Sequence, residues 1–178
     1  MTPAVEFSHK VTVEPWPEDG ILVDLTATPA ELEALKTRFD LIDLPSLSAS
    51  LRIEKKVKEL VLTGTIEATV TQSCVATLKP VTSALQAPMQ RHYRRQEVHE
   101  KMTAAGTAVS VDEDEVDVDI LDDDEIDIGE VVAEEFYLAL DPYPRTADAD
   151  VVLDAFKEQT GKASDQGSEN PFEKLRRH

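Results

Sequence analysis

The sequence predicts an α+β fold: a curved antiparallel sheet of about five to seven strands, two helices packed on it, and a disordered C-terminal tail. Three observations predict it. Segments of period-2 alternation follow one another with few helical crossovers, the order expected of an antiparallel sheet. Two stretches, beginning near Thr28 and Ile128, carry helical spacing and helix-start chemistry instead. From Arg145 the chain turns to Asp, Ala, Ser, Gly and Gln with few large apolar residues, too few to offset the entropy of ordering. With 178 residues, 41% of them hydrophobic, one core is expected. Residues 1–144 therefore read as one domain with a mobile loop near 96–112, and 145–178 as a mostly disordered tail.

Each element has its own signal. From Val5 to Val13 apolar and polar residues alternate, as in a half-buried strand. Pro15, Pro17 and Gly20 break the chain before a short strand over Ile21 to Leu25. Thr28, Pro29 and Glu31 then supply an N-cap, a first-turn proline and the far side of a capping box, with Leu32, Leu35 and Phe39 on one helical face. After Pro45, Leu47, Ala49, Leu51 and Ile53 alternate with polar residues. Lys55 to Lys58 turn the chain into the longest alternation, in which Leu60, Leu62, Ile66, Ala68 and Val70 oppose Thr63, Thr65, Thr69 and Thr71, so a hairpin is expected. Period 2 resumes from Val81 to Met89. Pro88, lacking an amide proton, belongs there on an edge or at a bulge. Val116, Val118 and Ile120 form a strand, Asp122 to Glu125 a turn, and Ile128 to about Leu140 a second helix, which Pro142 and Pro144 end. Within the tail, Val151 to Phe156 reads as a transient helix and Asn170-Pro171-Phe172 as the core of a linear motif.

The charge excludes several function classes. Thirty-six acidic against 18 basic residues give a formal net charge of -18, a field that repels phosphate backbones and anionic lipid and favours a basic partner. Met1 to Lys10 lacks the apolar run of a secretory signal, and no apolar stretch approaches the length of a membrane span. A soluble, cytoplasmic protein without membrane contact is expected. Cys74 is the only cysteine, so no internal disulfide or all-cysteine zinc cage can form. His9, His92, His99 and His178 lack the close pairing of a metal site, and no metal or other cofactor is expected.

Between Lys101 and Arg145 stand fifteen carboxylates and no lysine or arginine. Eleven of them, Asp112, Glu113, Asp114, Glu115, Asp117, Asp119, Asp122, Asp123, Asp124, Glu125 and Asp127, lie within sixteen residues. A catalytic carboxylate pair needs a pocket and a few fixed distances, which a long run does not suggest. A calcium loop starting at Asp112 would put Asp117 where a glycine turns the chain and Asp123 where a bidentate glutamate is usual. The run reads either as a solvated face or as a surface that binds a protein. Arg91-His92-Tyr93-Arg94-Arg95 combines guanidinium groups with an aromatic ring, so Arg91, Tyr93, Arg94 and Arg95 are candidates for RNA contact. Alternatively these arginines neutralise the acidic segment across the sheet. Cys74, at the end of the longest strand, reads as a small buried hydrophobe, since nothing in the spacing brings it a base.

Four segments, in order and spacing, carry a resemblance: Ser73-Cys74-Val75-Ala76-Thr77-Leu78; Ile126-Asp127-Ile128-Gly129-Glu130; Leu138-Ala139-Leu140-Asp141-Pro142-Tyr143-Pro144-Arg145; and Asn170-Pro171-Phe172. Together they resemble the YceD family, the large ribosomal RNA subunit accumulation proteins, and look most like its alphaproteobacterial branch. The family often carries Cys-x-x-Cys-Leu where this chain has Cys74-Val75-Ala76-Thr77-Leu78, and many members have later cysteines that are absent here. Any zinc site those cysteines form in relatives cannot exist in this chain.

The resemblance implies a non-enzymatic role in synthesis, processing or stability of 23S rRNA, and hence in accumulation of the large ribosomal subunit. The chain's charge makes direct RNA binding awkward. The leading expectation is therefore that the acidic face engages a basic ribosomal protein or a pre-50S assembly intermediate, with rRNA contacted indirectly. The alternative is an RNA-binding module acting through Arg91 to Arg95. A nuclease using Asp122, Asp123 and Asp124 with magnesium has the least support, because no base or positioning lysine lies near them.

Overall fold

The computed structural model describes residues 6–57, 59–98, 100, 118–121 and 123–164. They divide into two compact units, one drawn from residues 6–71 and 82–141 and the other from residues 72–81 and 142–164. The fold is α+β. A five-stranded open sheet has the order β2(Ile21–Thr26), β3(Asp43–Lys55), β4(Leu60–Ser73), β5(Pro80–Arg95), β6(Val118–Leu121). A second sheet pairs β1(Lys10–Thr12) with β7(Glu125–Asp127). Among the helices are α1(Pro29–Arg38), α2(Ile128–Ala139) and α3(Ala149–Ser164).

The local chemistry read from sequence builds most of this. The Thr28 hydroxyl accepts from the Glu31 amide, and the Glu31 carboxylate accepts from the Thr28 amide at 2.7 Å, completing the capping box with Pro29 in the first turn. Leu35 is fully buried, and Leu32 and Phe39 pack against the core. The β3–β4 hairpin keeps a regular antiparallel register from Ser46↔Thr69 to Lys55↔Leu60. It buries Leu47, Ala49, Leu51 and Ile53 beside Leu60, Leu62, Ile66, Ala68 and Val70. Gly64 stands opposite Leu51, where a Cβ would come within 2.4 Å of the Ser50 carbonyl oxygen. Only glycine lets the two strands approach so closely. Phe136 of α2 is fully buried in the same core and lies 5.9 Å from Phe39, centroid to centroid.

Several expectations need correction. The main sheet is mixed, not antiparallel, because β6 runs parallel to β5 in the register His92↔Val118 to Arg95↔Leu121. Alternation is the same in either direction, so period 2 could not reveal this. The first strand is only Lys10–Thr12, although alternation begins earlier; its partner β7 is equally short. Strand β3 runs through Pro45, with its register shifting between Asp43 and Ser46, an irregularity that spares the missing amide. Pro88 lies on the portion of β5 beyond the reach of β6, the edge setting a strand proline needs. Helix α3 begins two residues before Val151 and runs eight beyond Phe156, with Asp150 in its first turn and Lys157 3.0 Å from Asp154. Of the expected loop near 96–112, residues 96–98 form a helical turn. Residues 99 and 101–112, and Asn170-Pro171-Phe172, lie outside the described residues, as does Val116. No described helix is long and apolar enough to cross a membrane.

Candidate functional site

The C-terminal end of β5 places five cationic or aromatic side chains beside carboxylates from five other segments. Arg91 Nε donates to Glu135 at 2.7 Å, Nη2 to Glu134 at 2.9 Å and Nη1 to Asp119 at 3.2 Å. Burial disfavours its charge, but its hydrogen bonds to Glu135 and Asp119 outweigh this and hold the guanidinium above its ordinary pKa. Tyr93, opposite Asp119 in the parallel register, is buried against the core, and burial together with the Asp119 charge pushes its phenol up. His92 and Arg94 point to Glu59, at 3.4 Å and 3.7 Å. Arg95 pairs with Glu14, lies 3.9 Å from Asp124 and covers the Trp16 ring at 5.3 Å.

The described part of the acidic run is distributed, not concentrated. Asp112, Glu113, Asp114, Glu115, Asp117 and Asp122 lie outside the described residues. Asp119 holds Arg91, and Asp123 and Asp124 occupy the exposed bend before β7, where the Asp124 carbonyl accepts the Val13 amide at 2.8 Å. Glu125 lies 3.6 Å from Lys10. Asp127 caps α2: its carboxylate accepts from the Glu130 amide at 3.3 Å, the His9 amide at 2.8 Å and the Ser8 hydroxyl at 2.5 Å. Burial raises the Asp127 pKa, but these donors outweigh it and the carboxyl sits below its ordinary range. Gly129 belongs to the same junction, since a Cβ there would meet the His9 nitrogen at 2.7 Å. The motif Ile126-Asp127-Ile128-Gly129-Glu130 is thus a joint between the N-terminal strand and α2. Glu130 completes it by receiving Arg38 of α1 in a bidentate pair at 2.9 Å and 2.6 Å.

Sequence reasoning named the arginines but missed Glu14, Glu59, Glu134, Glu135 and Trp16. Glu134 and Glu135 stand more than forty positions from Arg91. Glu134 alone is exposed on the polar side of the helix, and the only signal for either is a carboxylate placed by a helical pattern.

The second unit contains a separate polar centre. Cys74 is fully buried but not in apolar surroundings. Its sulfur accepts from the Thr77 amide at 3.4 Å, the Thr146 amide at 3.4 Å and the Thr146 hydroxyl at 3.5 Å. Thr77 and Thr146 bond to each other at 3.1 Å, the Val75 amide donates to the Pro144 carbonyl at 2.9 Å, and Lys79 meets Asp148 at 2.5 Å. Burial pushes the thiol up, but the Thr77 and Thr146 donors pull it further down, to about 6. Lys79 likewise holds Asp148 down at about 2. Where the resemblance would put a second cysteine, Thr77 instead offers a donor to the first. Among the described residues, no group of three His, Cys, Asp or Glu side chains is placed to hold a metal ion.

A family model described as "Large ribosomal RNA subunit accumulation protein YceD" matches residues 62–177. The match takes in the Cys74 turn, the Arg91 cluster, the acidic run and both later helices. Neither a curated protein nor a solved structure matches the chain.

Proposed function

The chain belongs to the YceD family of large ribosomal RNA subunit accumulation proteins, and from that membership we propose how it serves large-subunit RNA: by binding a basic ribosomal protein or assembly intermediate through its acidic residues 112–127. It does so in the cytoplasm and without catalysis, supporting the synthesis, processing or stability of 23S rRNA. The family is named for accumulation of the large subunit, not for a reaction.

One observation carries this reading over its alternative. Arg91, Arg94 and Arg95 each have a carboxylate partner within the chain. An RNA phosphate would have to displace those partners, against a formal net charge of -18. A basic protein meets an attractive field. The alternative, RNA contact through Arg91, Tyr93, Arg94 and Arg95, is separated by capture from lysate with and without nuclease. Recovery of large-subunit proteins should survive nuclease and the substitution Arg91/Arg94/Arg95→Ala, and should be lost when Asp112, Glu113, Asp114 and Glu115 are changed to their amides. Loss with nuclease and with the triple substitution, but not with the amides, reverses the assignment.

A further inference from the structure

Two cavities of the first unit meet at Arg95. One, of about 420 Å³, has Pro15, Trp16 and Val57 along its wall. The other, of about 310 Å³, is lined by Glu97, Glu100, Asp123 and Asp124. The described cations lining this junction are already matched. Lys55 holds Glu18 at 2.6 Å, and Arg95 holds Glu14 while covering the indole. Among the described residues, Glu97 and Asp123 have no partner, and Glu100 receives only the Gln96 amide, at 3.1 Å. Val57 is 96% exposed, and the indole Nε1–H of Trp16 is enclosed without an acceptor. An apolar, aromatic wall thus adjoins a wall of surplus negative charge.

That combination selects its occupant. A phosphate or an acidic peptide is repelled by the second wall, and an uncharged apolar ligand leaves its carboxylates unanswered. An extended basic peptide with one apolar side chain answers both. We propose that this groove docks such a basic segment of a partner protein, its apolar side chain against Trp16 and Val57 and its cationic groups among Glu97, Glu100 and Asp123. The assignment rests on the acidic-partner reading above. It adds a defined place, an apolar anchor and two carboxylates outside residues 112–127.

Trp16 is the only tryptophan, so its emission reports on the groove directly. The full chain is titrated with the peptide Lys-Lys-Leu-Lys-Lys, with Glu-Glu-Leu-Glu-Glu and an oligouridylate as controls. A saturable emission change is expected with the basic peptide alone. Affinity should fall about tenfold in Glu97→Gln/Glu100→Gln and about threefold in Val57→Asn, all surface positions at which the far-ultraviolet dichroism should stay unchanged. No saturable response, equal affinity in wild type and both variants, or a response to the oligouridylate overturns the proposal. Capture from lysate separates its failure from that of the broader reading. If Glu97→Gln/Glu100→Gln recovers large-subunit proteins as well as wild type does, the groove is wrong and the acidic-partner reading stands. If wild type recovers none, that reading falls, and the peptide titration still decides the groove.

Discussion

Strands β3 and β4 at the centre of the main sheet, and β5 and β6 at its edge, are held together by different forces. The β3–β4 pair is long and buries an apolar side chain at almost every inward position, many of them fully. Slipping it by one residue would turn that whole set outward, so burial fixes its register. The β5–β6 pair joins only four residues of each strand, and Asp119 and Ile120 of β6 are exposed. Beyond its short ladder the pair is tied chiefly by charge, Arg91 to Asp119, while Glu134 and Glu135 hold the same arginine to α2. Burial gives one arrangement that salt barely touches. Partly exposed ion pairs give one that salt and charged partners can rearrange.

That contrast breaks most visibly in the core. Leu62→Ala removes a fully buried side chain of β4 and should cost about 2–5 kcal/mol. Chemical denaturation at low and high salt should give the same loss. A smaller effect is expected at Asp127, where capping of α2 and ties to Ser8 and His9 meet in one carboxylate. Asp127→Ala should cost about 1–2 kcal/mol, read by the same unfolding curves.

In the second unit the contrast becomes one of pH. The Cys74 thiol ordinarily titrates at 9.0 and is held at about 6 in the fold, so its contribution is complete above pH 9. It should fall as the pH drops from 9 to 6 and be gone below. Melting temperatures of wild type and Cys74→Ala should therefore converge across that window as the pH is lowered; a constant gap refutes the bonded thiolate. The least effect on stability belongs to Asp119→Asn, at most about 1 kcal/mol because both partners are partly exposed. Its signature is local. Amide exchange over Val118 to Leu121 should quicken while that of β3 and β4 stays unchanged, and high salt should make wild type resemble the variant.

What could be read in advance divides along the same line. The capping box at Thr28, the alternation from Leu60 to Val70 and the helical face containing Val132 and Phe136 were all legible, because each is a relation between residues a few positions apart. The arginine cluster was legible as a group of residue types, and its neutralisation across the sheet stood as one of two readings. Its partners were not, because Glu59, Glu14 and Glu134 reach it only through the sheet and α2. The fate of Cys74 was half legible. Its burial followed from its place at a strand end, but the donors from Thr146 arrive from 72 positions away.

By itself, then, the sequence determined an α+β chain of strong negative charge, the span of most elements, and the family, since motif order and periodicity are written along the chain. Only the tertiary structure decided that β6 runs parallel, that Arg91, Arg94 and Arg95 face carboxylates, and that an aromatic wall meets an acidic one at Arg95. Strand direction and charge pairing are relations across space, and no local pattern of residues encodes which distant neighbour the fold will supply.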